Sequence, residues 1–412
     1  MIIQQEFTLK KGLSYGLICK VVTLVITTGL IVTISSRSAM HRGVSYNIPP
    51  FTRQCLCRQR IGEPSLSTPT TSHTGTLNSS EIRHIAFLKV HKCASSTMMN
   101  MFYRFGHKRN LTFVLPIKGE NYLNLTKERG FLSVVPPPAM SGYDILCNHV
   151  SRFDHQAFSR LLPPDTKYIA IVRDPLQRLN SAFHYYKSVL TNVGLTTEKG
   201  KDPFQTYLKN PEYYETAWGV GSFTNNKMAR DFGFPFKDYR NITKFKAYLP
   251  TLKKQFHFVA IAEMFPESLV LMRRLLKWSM EDILFLTINV NQNKPTAIGD
   301  ISEKLKPFLA LDVLLYDYFL ADFKRRITSE GQDFEEELKY FKSINTKTTV
   351  FCKSYLPDKK LSFVANEWHG HFSVTRGDCD LLGKPGRPFL TLMRAIQNNR
   401  INKYGANVSL FL

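Results

Sequence analysis

Three short apolar runs constrain this chain more than any other feature, because each stops at residues able to hold an anion. His84-Ile-Ala-Phe-Leu-Lys-Val90 gives way to the small, hydroxylated stretch His91-Lys-Cys-Ala-Ser-Ser-Thr97. Asp144-Ile-Leu-Cys147 ends at Asn148-His149, and Lys167-Tyr-Ile-Ala-Ile-Val172 closes on Arg173-Asp-Pro175. Runs this short and continuously apolar read as strands buried on both faces. Phe256 to Ile261 is a fourth candidate strand and Ile283 to Ile288 a fifth. Met98 to Phe105, Pro175 to about Val189 and Pro266 to Trp278 pattern as helices, with proline suited to a first turn. The alternation predicts an α/β fold in which a parallel sheet is flanked by helices and ligands bind outside the carboxyl ends of its strands. Ile301 to Ile344 reads as mostly helical with a break at Gly331, whereas residues 345–412 show no clear periodicity.

A strand, a loop of small residues and a helix N-terminus make a phosphate cradle, because backbone N–H groups converge there and the helix dipole favours an anion. Ala94 permits close approach, the hydroxyls of Ser95, Ser96 and Thr97 add donors, and Lys92 places a point positive charge at a phosphate oxygen. The loop lacks the GxxxxGK[ST] pattern of nucleoside triphosphatases. The alternative at this position is a polar helix cap at Ser95 or Ser96. Arg173 lies eight residues before Ser181. If a helix starts near Pro175, the guanidinium and the hydroxyl can meet one terminal phosphate. The alternative there is a capping turn with an internal Arg–Asp pair.

The chain has 412 residues, 55 of them Lys or Arg against 33 Asp or Glu, a formal charge of +22. Such a field attracts polyanions, among them nucleic acid, acidic lipid and multiply phosphorylated cosubstrates, and charge alone does not choose. The N-terminus narrows the choice. Leu13 to Ile34 is apolar apart from Lys20 and a few small polar residues, and matches the roughly 20 residues a bilayer core requires. This predicts a cytosolic tail at 1–12, a transmembrane signal-anchor at 13–34, a Ser/Thr/Pro/Arg-rich flexible stem at 35–80 and a lumenal domain at 81–412. A cleaved signal peptide is the alternative. Asn-x-Ser/Thr sequons at Asn78, Asn110, Asn124, Asn241 and Asn407 are compatible with the lumen. Seven cysteines do not cluster as zinc ligands, and Cys352 and Cys379 can pair if the compartment is oxidising. Nucleic-acid binding is disfavoured by the anchor.

The stretch F-L-K-V-H-K-C-A-S-S-T resembles the 5′-phosphosulfate-binding loop of Golgi sulfotransferases. V-R-D-P-L-Q-R-L-N-S-A-F-H-Y-Y resembles their 3′-phosphate-binding strand and helix. With the I-x-C-N-H segment and F-x-E-S-L-V-L-x-x-x-L-L-x-W near Phe265 to Trp278, the chain is similar over residues 81–340 to the galactose-3-O-sulfotransferases, which include galactosylceramide sulfotransferase. Cys93 stands where that family often has Thr, and the last seventy residues match poorly. The resemblance implies a P-loop-like sulfotransferase fold, 3′-phosphoadenosine 5′-phosphosulfate as donor with no metal required, and a galactose-terminated glycolipid or glycan as acceptor. It places the enzyme in the Golgi membrane as a single-pass type II protein. Lys92 is then the cation at the leaving phosphate oxygen. Lys89, Lys92, Ala94, Ser95, Ser96 and Thr97 line the 5′-phosphate, and Arg173 and Ser181 hold the 3′-phosphate. His149 is the first candidate for the base, because Cys147-Asn-His-Val150 resembles the segment carrying the catalytic histidine of hexuronic 2-O-sulfotransferases. Imidazole chemistry near neutral pH suits that role. His91 is the second candidate, and Glu263 is a weaker acceptor-positioning candidate. Two rival readings remain. One is a type II glycosyltransferase using Asp378-Cys-Asp380 for a metal. The other is a membrane-tethered glycan-binding protein.

Overall fold

The computed structural model describes residues 81–117, 120–125, 133–186, 203–216, 222–286, 305–354 and 359–409. The predicted tail, anchor and stem lie outside these residues. Among the described residues no helix is long and apolar enough to cross a membrane.

The chain runs β1 (Ile85–Leu88), α1 (Ser95–Lys108), β2 (Tyr122–Leu123), β3 (Ile145–Leu146), β4 (His149–Val150), α2 (His155–Ser159), β5 (Lys167–Val172) and α3 (Pro175–Tyr185). It continues through α4 (Pro203–Lys209), α5 (Pro211–Thr216), α6 (Lys227–Asp231), α7 (Ile242–Gln255), β6 (Phe258–Ile261), α8 (Phe265–Leu276), α9 (Ala310–Ser329) and α10 (Asp333–Lys353). A hairpin of β7 (Leu361–Phe363) and β8 (Phe372–Val374) follows, then α11 (Arg376–Leu382) and α12 (Gly386–Tyr404). The main sheet has the order β3-β1-β5-β6, and every pairing in it is parallel. All four residues of β1 and of β6 are buried, as crossover helices on both faces require. Phe87 of β1 meets Phe102 of α1 at 4.9 Å between ring centroids, and Phe105 stacks on Trp278 at 3.8 Å. Each such buried aromatic contributes about 1.5–3 kcal/mol through area alone.

Four of the five predicted strands form. The described part of the fifth forms no strand: Met280–Ile283 is a 3₁₀ turn and Leu284 to Leu286 are irregular, while residues 287–288 lie outside the described residues. Ser279 and Asp282 cap that turn reciprocally, and buried Asp282 also holds the Arg109 guanidinium at 2.8 and 2.9 Å. Arg104 of α1 donates to the Leu284 carbonyl, and Ile283 and Leu284 are buried. Asn148-His149 does not close β3 directly either. His149 opens β4, which pairs in parallel with β2 in a separate two-stranded sheet.

The C-terminal region without visible periodicity buttresses α1. Asn100 of α1 donates to the Leu381 carbonyl at 2.9 Å, and the buried Gln397 accepts from Phe113 N and donates to the Pro136 carbonyl. A Cβ at Gly386 would stand 2.6 Å from the Met99 methyl, the flexible end of a side chain of α1, so α12 begins in close contact with α1. Cys352 and Cys379 are disulfide-bonded, joining α10 to α11. Asp378 of the Asp-x-Asp triplet is spent in a capping box with Thr375 at the start of α11.

Candidate functional site

β1 and β5 are neighbours in register, so the turns that follow them open side by side at the carboxyl edge of the sheet. After β1 the chain makes a loop in which Lys92 and Ala94 both adopt left-handed backbone, with φ of 63° and 57°. Left-handed and helical residues in alternation turn successive N–H groups toward one point, the geometry of an anion nest. Ser95 tightens the loop by donating its hydroxyl to the Val90 carbonyl at 2.6 Å. At the start of α1 the Thr97 N–H donates to the Ala94 carbonyl at 3.0 Å, the amides of Ser95 and Ser96 precede the first helical bonds, and Ala94 and Ser96 are exposed.

Three cations converge here. Lys89 is buried, and its ammonium donates to Ser96 Oγ and to His149 Nε2, each at 3.1 Å. Among the described residues it pairs with no carboxylate, and burial pushes its pKa down to about 8. A buried cation left in that state is stabilised by an arriving anion. The Lys92 ammonium lies 3.7 Å over the ring of Tyr185, and burial followed by the charge of Arg173 lowers its pKa. Arg173 donates from Nη1 to the Lys92 carbonyl at 3.2 Å and lies 3.8 Å from Glu263. Asp174 caps α3 by accepting from Gln177 N at 2.8 Å. The capping turn is therefore real, but the partner of Arg173 is Glu263, which leaves the guanidinium at the loop. Glu263 also accepts from Asp174 N and from the Tyr316 hydroxyl. Ser181 is half-buried on the second turn of α3.

A second cluster adjoins the cations. His91 is held on two sides: Asp231 Oδ2 accepts from its backbone N at 2.9 Å and pairs with its Nδ1 at 2.8 Å. The other ring nitrogen, Nε2, meets the Tyr122 hydroxyl at 2.9 Å. Asp231 also binds Lys227 at 2.5 Å, one helical turn back on α6. Burial opposes ionisation of Asp231, yet His91 and Lys227 together hold its carboxyl well below the usual range. His149 stacks on His91 with centroids 4.6 Å apart, and on Tyr122 at 5.0 Å. Burial and then Lys89 push the His149 pKa down to about 2, and its Nδ1 is buried without a hydrogen-bond partner.

α6 itself is pinned. Asp312, fully buried, accepts from Met228 N and Ala229 N at its start. The same carboxylate lies 3.5 Å from the buried Arg178 of α3, whose guanidinium takes the Phe223 and Thr224 carbonyls at 3.0 and 2.5 Å. Reading the sequence missed Asp231, Lys227, Tyr122, Arg178 and Asp312. Lys227 and Asp231 show as an i,i+4 pair, but that pattern ordinarily marks a solvated helix face. A cleft of about 1090 Å³ lies at the opposite end of the sheet, among His84, Asp165, Lys167 and Trp368. It contains none of these converging groups.

A family model for galactose-3-O-sulfotransferases matches residues 3–359. The chain is 31% identical over 304 residues to galactosylceramide sulfotransferase of Mus musculus, covering 70% of each chain. It is 31% identical over 328 residues to galactose-3-O-sulfotransferase 2 of Sus scrofa, covering 75% of this chain and 78% of the relative. To galactose-3-O-sulfotransferase 3 of Mus musculus it is 35% identical over 257 residues, 60% of this chain and 58% of the relative.

Proposed function

Because this chain belongs to the galactose-3-O-sulfotransferase family, we propose that it transfers a sulfuryl group from 3′-phosphoadenosine 5′-phosphosulfate to the 3-hydroxyl of a terminal galactose on a glycolipid or glycan. The observation that carries the reading is the contact between the two turns. The Arg173 guanidinium sits on the Lys92 carbonyl beside Lys89, a buried lysine that pairs with no carboxylate among the described residues, which makes one basin for a ligand anionic at both ends. The donor supplies an S–O bond that breaks toward a phosphate oxygen. Negative charge grows on that oxygen in the transition state, and a fixed cation there is worth more than one that binds the ground state equally well. Lys92 holds that position and Lys89 backs it from below. Ser96 and the first amides of α1 bind the 5′-phosphate, whereas the Ser95 hydroxyl acts by holding the loop closed. Arg173 and Ser181 take the 3′-phosphate.

The base must offer a free lone pair. His149 Nε2 is occupied by the Lys89 ammonium, so in the neutral ring the proton sits on Nδ1. His91 Nε2 meets the hydroxyl of Tyr122, a residue 45% exposed, and an acceptor hydroxyl can replace a neutral hydroxyl there more readily than it can displace the Lys89 ammonium from His149. Hydrogen bonding therefore favours His91 as base, with His149 bridging it to Lys89. Golgi residence and type II anchoring belong to the same proposal and rest on the apolar run at 13–34.

The deciding experiment incubates the full-length protein with radiolabelled donor and a panel of lipid-borne and soluble galactosides, then maps the label. Label on galactose O3 is expected. Absence of transfer to every galactoside, or metal-dependent transfer from a nucleotide sugar, overturns the reading.

A further inference from the structure

The hydrogen-bond order Lys227–Asp231–His91–Tyr122 runs from a buried helix to the mouth of the site, and only its last member reaches solvent. We infer that Asp231 is the positioning residue that makes His91 the base, and that the Tyr122 hydroxyl marks where the acceptor hydroxyl docks. This rests on the sulfuryl-transfer reading and deepens it.

Two contacts to one carboxylate oxygen fix both the ring and its tautomer. Asp231 Oδ2 takes the His91 backbone N–H and faces Nδ1, so Nδ1 carries the proton and Nε2 keeps its lone pair. A carboxylate in this place also stabilises the imidazolium that forms when the proton arrives. The step balances: the sugar oxygen forms its bond to sulfur, its proton passes to His91 Nε2, and the electron pair of the broken S–O bond stays on the phosphate oxygen beside Lys92. Asp231 gains no proton.

The carboxylate cannot drift. Lys227 holds its other oxygen, and Asp312 holds the start of the helix that carries both. Through Arg178, Asp312 is tied to α3, the helix of the Arg173–Ser181 pocket. The base and the nucleotide site thus share one buried ionic frame. The groups facing His91 are Asp231 and Lys227 from α6, Lys89 from the loop, His149 from β4 and Tyr122 from β2. Asp231 alone among them raises the His91 pKa. Lys227 and Lys89 lower it, as does burial, which is the largest effect.

Asp231→Asn in the full-length protein tests the assignment, with Lys227→Met added in a second variant so that no lysine is left buried and unpaired. Turnover falls roughly 10²–10⁴-fold in both. KM for the donor and the affinity for adenosine 3′,5′-bisphosphate change far less than turnover, because the nucleotide residues and the Asp312–Arg178 link to α3 are untouched. The acidic limb of kcat/KM moves to lower pH, since the group that raised the His91 pKa is gone. Wild-type turnover in either variant, an acidic limb that stays in place, or nucleotide affinity lost in step with turnover overturns the inference. The ring 15N shifts of His91 provide a readout that needs no activity. A proton on Nδ1 in the wild type supports the assignment, and a proton on Nε2 overturns it even if the protein sulfates nothing. Absence of transfer by the wild type counts against the function itself.

Discussion

The two turns that meet in the site are built differently. The turn after β1 adopts two left-handed residues without glycine, at about 1–2 kcal/mol each, and closes on itself through the Ser95–Val90 bond. Its cations are half-buried or buried, and one of them, Lys89, has no carboxylate partner among the described residues. The turn after β5 is a plain helix start: a capping Asp174, Pro175 in the first turn and a half-exposed Arg173 already paired with Glu263. Strain and uncompensated charge mark the place where charge changes during reaction, while relaxed, paired geometry marks a place that only has to grip. The first turn should therefore govern turnover and the second affinity.

The strongest way to break this division is Lys92→Ala. Removing a cation aimed at the leaving oxygen lowers kcat by about 10²–10³-fold, with a far smaller loss of affinity for the unreacted donor, whose bridging oxygen does not yet carry that charge. Single-turnover rates and calorimetry measure the two separately. A variant that loses binding and keeps turnover would reverse the roles of the two turns. Arg173→Ala should do the opposite. A charged hydrogen bond to a terminal phosphate is worth about 1.5–3 kcal/mol, so affinity for the bisphosphate falls roughly 10–100-fold. At saturating donor, kcat stays near wild type. Because Arg173 also supports the Lys92 carbonyl, Arg173→Lys separates the two duties: charge remains, but the guanidinium fork does not.

The same contrast explains what could be read in advance. β1, β5 and β6 are continuous apolar runs of four to six residues, so periodicity alone finds them. β2 and β4 have two residues each and no pattern to find, and they are what brings Tyr122 beside His149. Arg173, Lys92 and the hydroxylated loop were legible because they follow strands directly in the chain. Asp231 was not, because its partner His91 is 140 residues away and only the fold makes them neighbours. Ser95 and Ser96 look equivalent in sequence, yet one is buried and bonded inward while the other faces the mouth. Ile283 to Leu286, the described part of the fifth predicted strand, is not a strand because Asp282, spent on Ser279 and Arg109, fixes a turn where pairing would begin. The C-terminal helices hid their pattern because their inward face carries polar contacts as well as apolar ones, such as Gln397 to Phe113 N and the Pro136 carbonyl.

Tyr185 offers the smallest and sharpest test, because it belongs to the helix of the second turn yet touches the cation of the first. Its ring lies under the Lys92 ammonium at 3.7 Å while 68% of the residue is exposed. A cation–π contact at such a site is worth about 0.5–1 kcal/mol, or roughly two- to fivefold in a rate. The lysine stem is long and rotamer-rich, so a contact that holds it removes entropy that the transition state would otherwise have to remove. Tyr185→Leu should therefore lower kcat by that small factor and leave bisphosphate affinity alone, while Tyr185→Phe, which keeps the ring face, stays close to wild type. If Tyr185→Leu raises turnover instead, the ring competes with the phosphate for the ammonium. The second turn would then restrain the first, and the division of labour between them would need to be redrawn.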